Sequence, residues 1–286
     1  VRVTVLGASG FIGRRLVAAL RERGDEVVEA SLREPARAAE ASAGSDVVVN
    51  LAGAPVAVRW TESSKREMRT SRVDATRDYL NALTPLAGRP KAYVGGSAIG
   101  YYGTSPTATF TEPSPPGRDF LAQLCVAWEA ETDRAAELEM RVAKIRTGLV
   151  LGTEGGVLGK LLPVFRLGLG GVVASGEQWY SWIHIEDEIG IILHAVDGAD
   201  GILNASAPNP VTNREFTRAL GHAVRRPTLF PVPAFAGRLM LGEGAFMLNE
   251  GQRVLPQRTQ ATGYVFRHTD LDEALRSLLA GPNGRP

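Results

Sequence analysis

The segment Gly7-Ala-Ser-Gly-Phe-Ile-Gly13 constrains this chain more than any other. Before it, Val1-Arg-Val-Thr-Val-Leu6 alternates and is rich in β-branched residues, which predicts a strand. After it, Phe11 to Arg23 has the apolar spacing of a helix. Gly24 ends that helix, and a second strand runs from Glu26 to Ser31. In a strand–turn–helix of this kind each glycine has a task. Gly7 permits the tight turn, Gly10 lets the backbone approach a pyrophosphate, and Gly13 lets the helix pack close to the strand. Free N–H groups at the helix start would take the phosphates. The expectation is a dinucleotide site built on Gly7, Ser9, Gly10, Phe11, Ile12 and Gly13.

The end of the second strand bears on which dinucleotide. An NAD site places Asp or Glu about 20 residues after the turn, on the ribose 2′-OH. Here Ser31 ends the strand and Arg33 follows, with Arg14 beside Gly13. Glu29 falls inside the strand, two residues early. Serine and arginine accept a 2′-phosphate that a carboxylate would repel. NADP(H) is therefore the expected cofactor, the alternative being that Arg33 is only a solvated loop residue.

Strands and helices continue to alternate. Asp46 to Gly53 reads as an apolar strand whose small-residue turn, Leu51-Ala52-Gly53, would also line the cofactor. Residues 61–83 predict one long amphipathic helix opened by Thr61 and Glu62. Pro90 to Gly96 lead into a strand ending in Ser97-Ala-Ile-Gly-Tyr-Tyr-Gly103. Residues 117–138 predict a helix, and Val142 to Leu151 a strand. Its end, with Gly148, Leu149 and Val150, should face the nicotinamide. This pattern predicts an α/β fold, a Rossmann-type doubly wound parallel sheet, with a smaller C-terminal substrate-binding cap. The expected division is 1–151 for the NADP-binding domain, rejoined by 183–205, with 152–182 and 206–286 forming the substrate-binding region. Helices are expected at 212–224 and 270–280, and fraying at 281–286.

Composition excludes several function classes. The net charge of +1 over 286 residues gives no field for nucleic acid or an anionic membrane. No stretch reaches the ~20 apolar residues of a membrane span. No signal-peptide pattern precedes the first motif, so a cytoplasmic monomer or homodimer is expected. The single cysteine, Cys125, reads as a buried, inert thiol. The four histidines, His184, His194, His222 and His268, have no short ligand spacing, so no metal site is expected.

The order of these motifs resembles the extended short-chain dehydrogenase/reductases, the group of the nucleotide-sugar epimerases. The likeness rests on Gly7-x-x-Gly10-x-x-Gly13, Asn50-Leu-Ala-Gly53, Ser97 to Gly103, Trp182-Ile-His-Ile-Glu-Asp187 and Asn204. More narrowly, the chain is similar to atypical "epimerase family" proteins with a short C-terminal domain. The carriers are Arg59-Trp60-Thr61, Pro116-Gly117-x-Asp119-Phe120-Leu121, Gln178-x-x-Ser181-Trp182-Ile183-His184, and Arg226-Pro227 followed by Pro231-x-Pro233. The resemblance implies a catalytic Tyr and a Lys four residues on. The matching segment here is Phe120-Leu-Ala-Gln-Leu124, which can neither give a proton nor carry a charge. Glu129 fits the family's downstream glutamate and supports that register.

The candidates for the missing acid are few. Ser97, or Ala98 one residue on, falls where the resemblance implies a catalytic serine, and a hydroxyl there could stabilise an alkoxide. Tyr101 and Tyr102 follow on the same loop. His184 could titrate near neutrality. Lys144 reads as paired or snorkelling, and Trp179, Tyr180 and Trp182 as an aromatic wall or as core. The expected activity is an NADPH-dependent ketoreductase acting on a small aromatic or polycyclic metabolite. Reductases of this type occur in antibiotic biosynthesis. The alternatives are a nucleotide-sugar epimerase/dehydratase and a non-catalytic NADP(H)-binding sensor.

Overall fold

A computed structural model of the chain describes all residues except 234, 236–238, 240, 241 and 281–286. The chain begins with β1 (Arg2–Leu6), α1 (Phe11–Glu22), β2 (Glu26–Ala30), α2 (Pro35–Ser42) and β3 (Val47–Asn50). It continues through α3 (Glu62–Arg69), a π-helical turn (Thr70–Asp74), α4 (Ala75–Leu83) and β4 (Ala92–Ala98). Next come β5 (Thr109–Phe110), α5 (Phe120–Asp133), β6 (Arg141–Thr147), β7 (Leu149–Gly152) and α6 (Gly156–Arg166). The remaining labelled elements are β8 (Trp179–Tyr180), β9 (Trp182–His184), α7 (Ile185–Val196), β10 (Gly201–Ala205), β11 (Val211–Thr212) and α8 (Asn213–Ala223).

Six strands form one parallel sheet in the order β10-β6-β4-β3-β1-β2. This is the doubly wound Rossmann arrangement expected. Successive strand residues face opposite layers. Val47 and Val49 join the core with α1 and α7, among Val3, Val5, Leu16, Leu20 and Ile191. Val48 between them joins Leu6, Tyr79, Leu83 and Tyr93 on the other face. The chain turns to opposite sides of β1 to lay down β2 and β3, and a ligand crevice opens at such a switch.

The glycine turn sits at that switch. Gly7 has φ +86°, and a Cβ on it would stand 2.9 Å from the Leu51 carbonyl carbon and the Ala52 nitrogen. A Cβ on Gly13 would lie 2.2 Å from the Gly7 carbonyl oxygen. These contacts are backbone to backbone, so nothing flexible can yield.

Four local outcomes differ from the pattern in the sequence. α2 is built from Pro35-Ala-Arg-Ala-Ala-Glu-Ala-Ser42, which buries only Ala38, Ala39 and Ser42 and shows no large apolar period. α6 forms within a glycine-rich stretch. The expected strand 142–151 is two strands. At Gly148 the chain leaves the main sheet, donating to the Ala205 carbonyl at 2.8 Å, and β7 then pairs with β9. The Ser181 carbonyl oxygen occupies the space where a Gly148 Cβ would be, 2.6 Å away. Finally, the helix over 61–83 begins as expected, with a capping box between Thr61 and Ser64, but the π-helical turn interrupts it.

A second core, with Leu158, Leu162, Phe165, Trp182, Phe216 and Leu275, gathers α6, α8 and the C-terminal helix Leu271–Leu279. The last two helices fall within a residue of their expected bounds. The expected fraying at 281–286 lies outside the described residues.

The glycine geometry gives a direct test. Gly13→Ala should lower stability by roughly 2–4 kcal/mol, because the new methyl meets rigid backbone. A Cβ on Gly10 would stand 3.2 Å from the Gly7 oxygen. Gly10→Ala should therefore stay within about 1 kcal/mol of the parent. Urea midpoints for the two variants check the difference.

Candidate functional site

A cleft of about 560 Å³ opens at the carboxyl ends of β1, β3, β4 and β6. The glycine turn forms one wall with Gly7, Gly10, Phe11, Ile12 and Gly13, and Leu51 and Gly53 continue it. Gly10 caps α1 without any side-chain bond, which leaves the helix start open to a ligand. Gly148 and Leu149 line the far end. Ser9, Ala52 and Val150 are not among the lining residues, although each neighbours one that is.

Ser31 follows β2 directly and is exposed, as is Arg33, whose N–H donates to the Ser31 hydroxyl at 3.3 Å. Glu29 is engaged with Arg21 at 2.8 Å. These residues lie at the edge of the fold, outside the enclosed part of the cleft. The cradle fits a dinucleotide: close backbone, an uncapped helix start and a strand end without a carboxylate.

Ser97 lines the cleft on the α5 side. Its hydroxyl donates to Glu129 Oε1 at 2.6 Å. Glu129 is held in turn by Arg146, with Nε and Nη2 each 2.8 Å from a carboxylate oxygen. Both partners are buried. Tyr101 lies against this guanidinium, its ring centroid 3.4 Å from Arg146 Cζ. Tyr102 accepts from Arg146 at 2.9 Å and donates to Asn204 at 2.7 Å, and its phenol is pushed up to about 12, chiefly by burial. Neither tyrosine lines the cleft. The two rings instead enclose a buried cation, a cation–π arrangement.

The position of the absent tyrosine is also filled. Phe120 packs edge-on against Trp60, with centroids 5.1 Å apart, and Trp60 meets Phe246 at 5.5 Å. Leu121 and Leu124 face the cleft instead. Trp179 and Tyr180 line it, whereas Trp182 is core, with its indole N–H bonded to the Asn209 carbonyl. Lys144 is paired with Asp133 at 2.7 Å.

His184 lies outside the cleft-lining residues, in a structural position. It caps α7, its Nδ1 accepting from the Glu186 N–H at 3.1 Å. Its ring stacks on His268 with centroids 3.6 Å apart, and His268 bonds Glu186 at 3.0 Å. His184, Glu186 and His268 bring three potential ligand atoms within 4.8 Å of one another. An ion takes each imidazole lone pair in its ring plane, and these planes are stacked at only 22°. One ion cannot satisfy both rings in this arrangement. Burial, then repulsion from His268, lowers the His184 pKa to about 4.

Two groups had no clear sequence signal. Thr147 lines the cleft and donates at 2.8 Å to Glu188, a fully buried carboxyl whose pKa burial pushes up to about 8. Arg72, in the π-helical turn, also lines the cleft. Its trace in the sequence is a slip of period: buried Met68 and Val73 are five apart, and Thr76, Leu80 and Leu83 resume ordinary helical spacing.

The profile of the NAD-dependent epimerase/dehydratase family matches residues 3–206. The chain belongs to this family. A second profile, a domain of unknown function (DUF1731), matches residues 232–278. The chain is 40% identical to human epimerase family protein SDR39U1, covering 98% of this chain and 100% of that protein. It is 39% identical to a chloroplastic homologue of that protein from Arabidopsis thaliana, over 97% of this chain and 86% of the relative. The crystal structure of human SDR39U1 with NADPH superposes with a TM-score of 0.90 at 37% identity, covering 98% of this chain and 100% of that one. Among the described residues no helix is long and apolar enough to cross a membrane.

The two shifted groups predict opposite pH limbs. Unfolded His184 protonates near 6.5 and the folded residue near 4, so stability falls as pH drops across that window. Glu188 ionises near 4.5 unfolded and about 8 folded, so stability falls as pH rises across that range. Glu188→Gln should therefore stabilise the protein at pH 9 by a few kcal/mol, roughly 1.4 for each pKa unit removed. His184→Asn, which keeps a cap, should flatten the acid limb. Denaturant titrations from pH 4 to 9 check both signs.

Proposed function

We propose that the chain is an NADP(H)-dependent reductase of a ketone carried on an apolar, flat metabolite. The observation that carries this reading is the continuity of the cleft. One volume joins the phosphate-binding turn, the Ser97 hydroxyl and the aromatic surfaces of Trp179, Tyr180 and Phe246. The NADPH bound by the human relative and the exposed Ser31 and Arg33 support the choice of dinucleotide. Two of the relatives come from a mammal and a plant, so the family extends beyond antibiotic producers, and nothing in the cleft argues for an antibiotic-pathway role. A cytoplasmic location belongs to the same proposal.

The dinucleotide, when bound, supplies the hydride. The protein's own residues determine how the proton is handled. The Ser97 hydrogen is directed at Glu129, so its oxygen presents a lone pair to the cleft. In this state Ser97 accepts a hydrogen bond rather than polarising a carbonyl. A substrate hydroxyl next to the ketone could donate to Ser97 and be held there. The hydroxyl then rotates from Ser97 to the adjacent carbonyl oxygen and gives up its proton there, and the oxyanion left behind is reprotonated from water. This arrangement makes the missing tyrosine tolerable.

Epimerisation is the weaker reading. It needs a base to take a hydroxyl proton, and the Phe120 ring is packed on Trp60. Among the described lining residues Arg72 is the one basic side chain, little charge for a nucleoside diphosphate.

Two measurements test the proposal. NADP(H) should bind at least tenfold more tightly than NAD(H), about 1.4 kcal/mol, and Arg33→Ala should erase most of that preference. Equal affinities by calorimetry would sink the cofactor assignment. NADPH absorbance should fall with ortho-hydroxy aryl ketones and not with their methyl ethers. Tight NADPH binding without turnover of any ketone would leave the non-catalytic reading instead.

A further inference from the structure

Arg72 has no role in the reading above, yet its surroundings are unusual. It lies in the middle of the π-helical turn Thr70–Asp74, and such turns are often found at functional sites. The wider turn brings Arg72 to the same inner side as Val73. Its guanidinium stacks on Trp128, with Cζ 5.2 Å from the ring centroid, and lines the cleft. The fit is close. A Cβ on Gly53 would stand 2.6 Å from Arg72 Cζ, so glycine at 53 makes room for the guanidinium.

Arg72 donates to two backbone carbonyls, Ala54 at 2.9 Å and Met68 at 3.4 Å. Among the described residues it forms no ion pair with a carboxylate. The fork keeps further N–H donors beyond those two bonds. A partly desolvated cation without a partner is costly unless something offsets it. Burial accordingly lowers its pKa from the usual arginine value.

The position favours substrate over cofactor phosphate. The glycine turn and the start of α1 already serve the pyrophosphate. Trp128 lies beside the Ser97 strand end, since a Cβ on Gly96 would meet its ring at 3.1 Å. Cys125, on the same helix as Trp128, lines the cleft together with Ser97 and Ala98. Arg72 therefore belongs to the reacting end of the cleft. Arg72 is the one cation among the described lining residues, and the two lining carboxylates are engaged elsewhere, Asp119 by the Ala122 N–H and Glu250 by the Thr104 hydroxyl, so a single free fork is left that suits a monoanion. A dianionic phosphate would meet too little positive charge. A carboxylate matches the planar fork, and the surrounding apolar side chains match a hydrophobic body.

We propose that Arg72 is a specificity-determining residue that binds a carboxylate on the substrate, so the ketone is a keto acid with an apolar body. This rests on the reductase reading of the cleft, and the test separates the two. The protein is saturated with NADP⁺ and titrated calorimetrically with acid and amide pairs: 3-benzoylpropionate, 4-acetylbenzoate and phenylglyoxylate, each against its primary amide. At least one acid should bind tenfold or more tightly than its amide. That preference should fall below threefold in Arg72→Gln and be partly kept in Arg72→Lys, whose charge lacks the fork. NADPH affinity should change less than threefold in both variants, with circular dichroism showing each folded. The inference is overturned if no acid is preferred, if the preference survives in Arg72→Gln, or if folded Arg72→Gln loses more than tenfold in NADPH affinity. Acid preference without turnover sinks the reductase reading and leaves this one standing. Turnover of acids and amides alike does the reverse.

Discussion

One buried ion pair, Arg146 with Glu129, ties together most of what surrounds the cleft. Arg146 comes from β6 and Glu129 from α5, and Ser97 of β4 is bonded to the same carboxylate. Arg146 also donates to Tyr102 and to the Glu112 carbonyl. Tyr102 reaches Asn204 on β10, and Glu112 accepts from Thr259 near the C-terminus. Removing one partner from such a pair is far costlier than the pair is worth, because a charge is left buried alone. The arrangement also fixes the Ser97 hydrogen. A residue that resembles a catalytic donor is, in this setting, an oriented acceptor.

The parts of the fold with strong local rules were legible in the sequence. The glycine turn needs only the strand before it, the helix after it and the close approach of backbones. The cap at Thr61 follows from its own side chain. The break at Gly148 was not legible, because strand-forming residues flank it on both sides, Ile145 and Thr147 before it and Leu149 and Val150 after it. What ends the first strand is the Ser181 carbonyl, which comes from a distant segment. α2 lacked a readable period because alanine buries too little to mark a face.

The site was legible in outline and misleading in detail. Motif spacing located one wall of the cleft, since backbone shape determines it. Side-chain roles depend on neighbours far along the chain. His184 reads as a titratable group, but the start of α7 takes its Nδ1 and His268 covers one face of its ring. Tyr101 reads as a loop phenol, but its ring covers Arg146. Arg72 reads as one charge among many in a polar helix, and only the π-helical turn brings it to the cleft.

The packing of Phe120 limits what can replace it. Its ring joins Trp60, next to α3, and through it Phe246 of the C-terminal region. A return to tyrosine there would introduce a hydroxyl among these rings while Leu124 still supplied no charge. The intermediate would lose packing before gaining chemistry. Each ring packed around the phenylalanine makes a tyrosine fit less well. The cluster thus binds position 120 to two distant segments, and a proton donor cannot be installed there by one substitution without loosening all three.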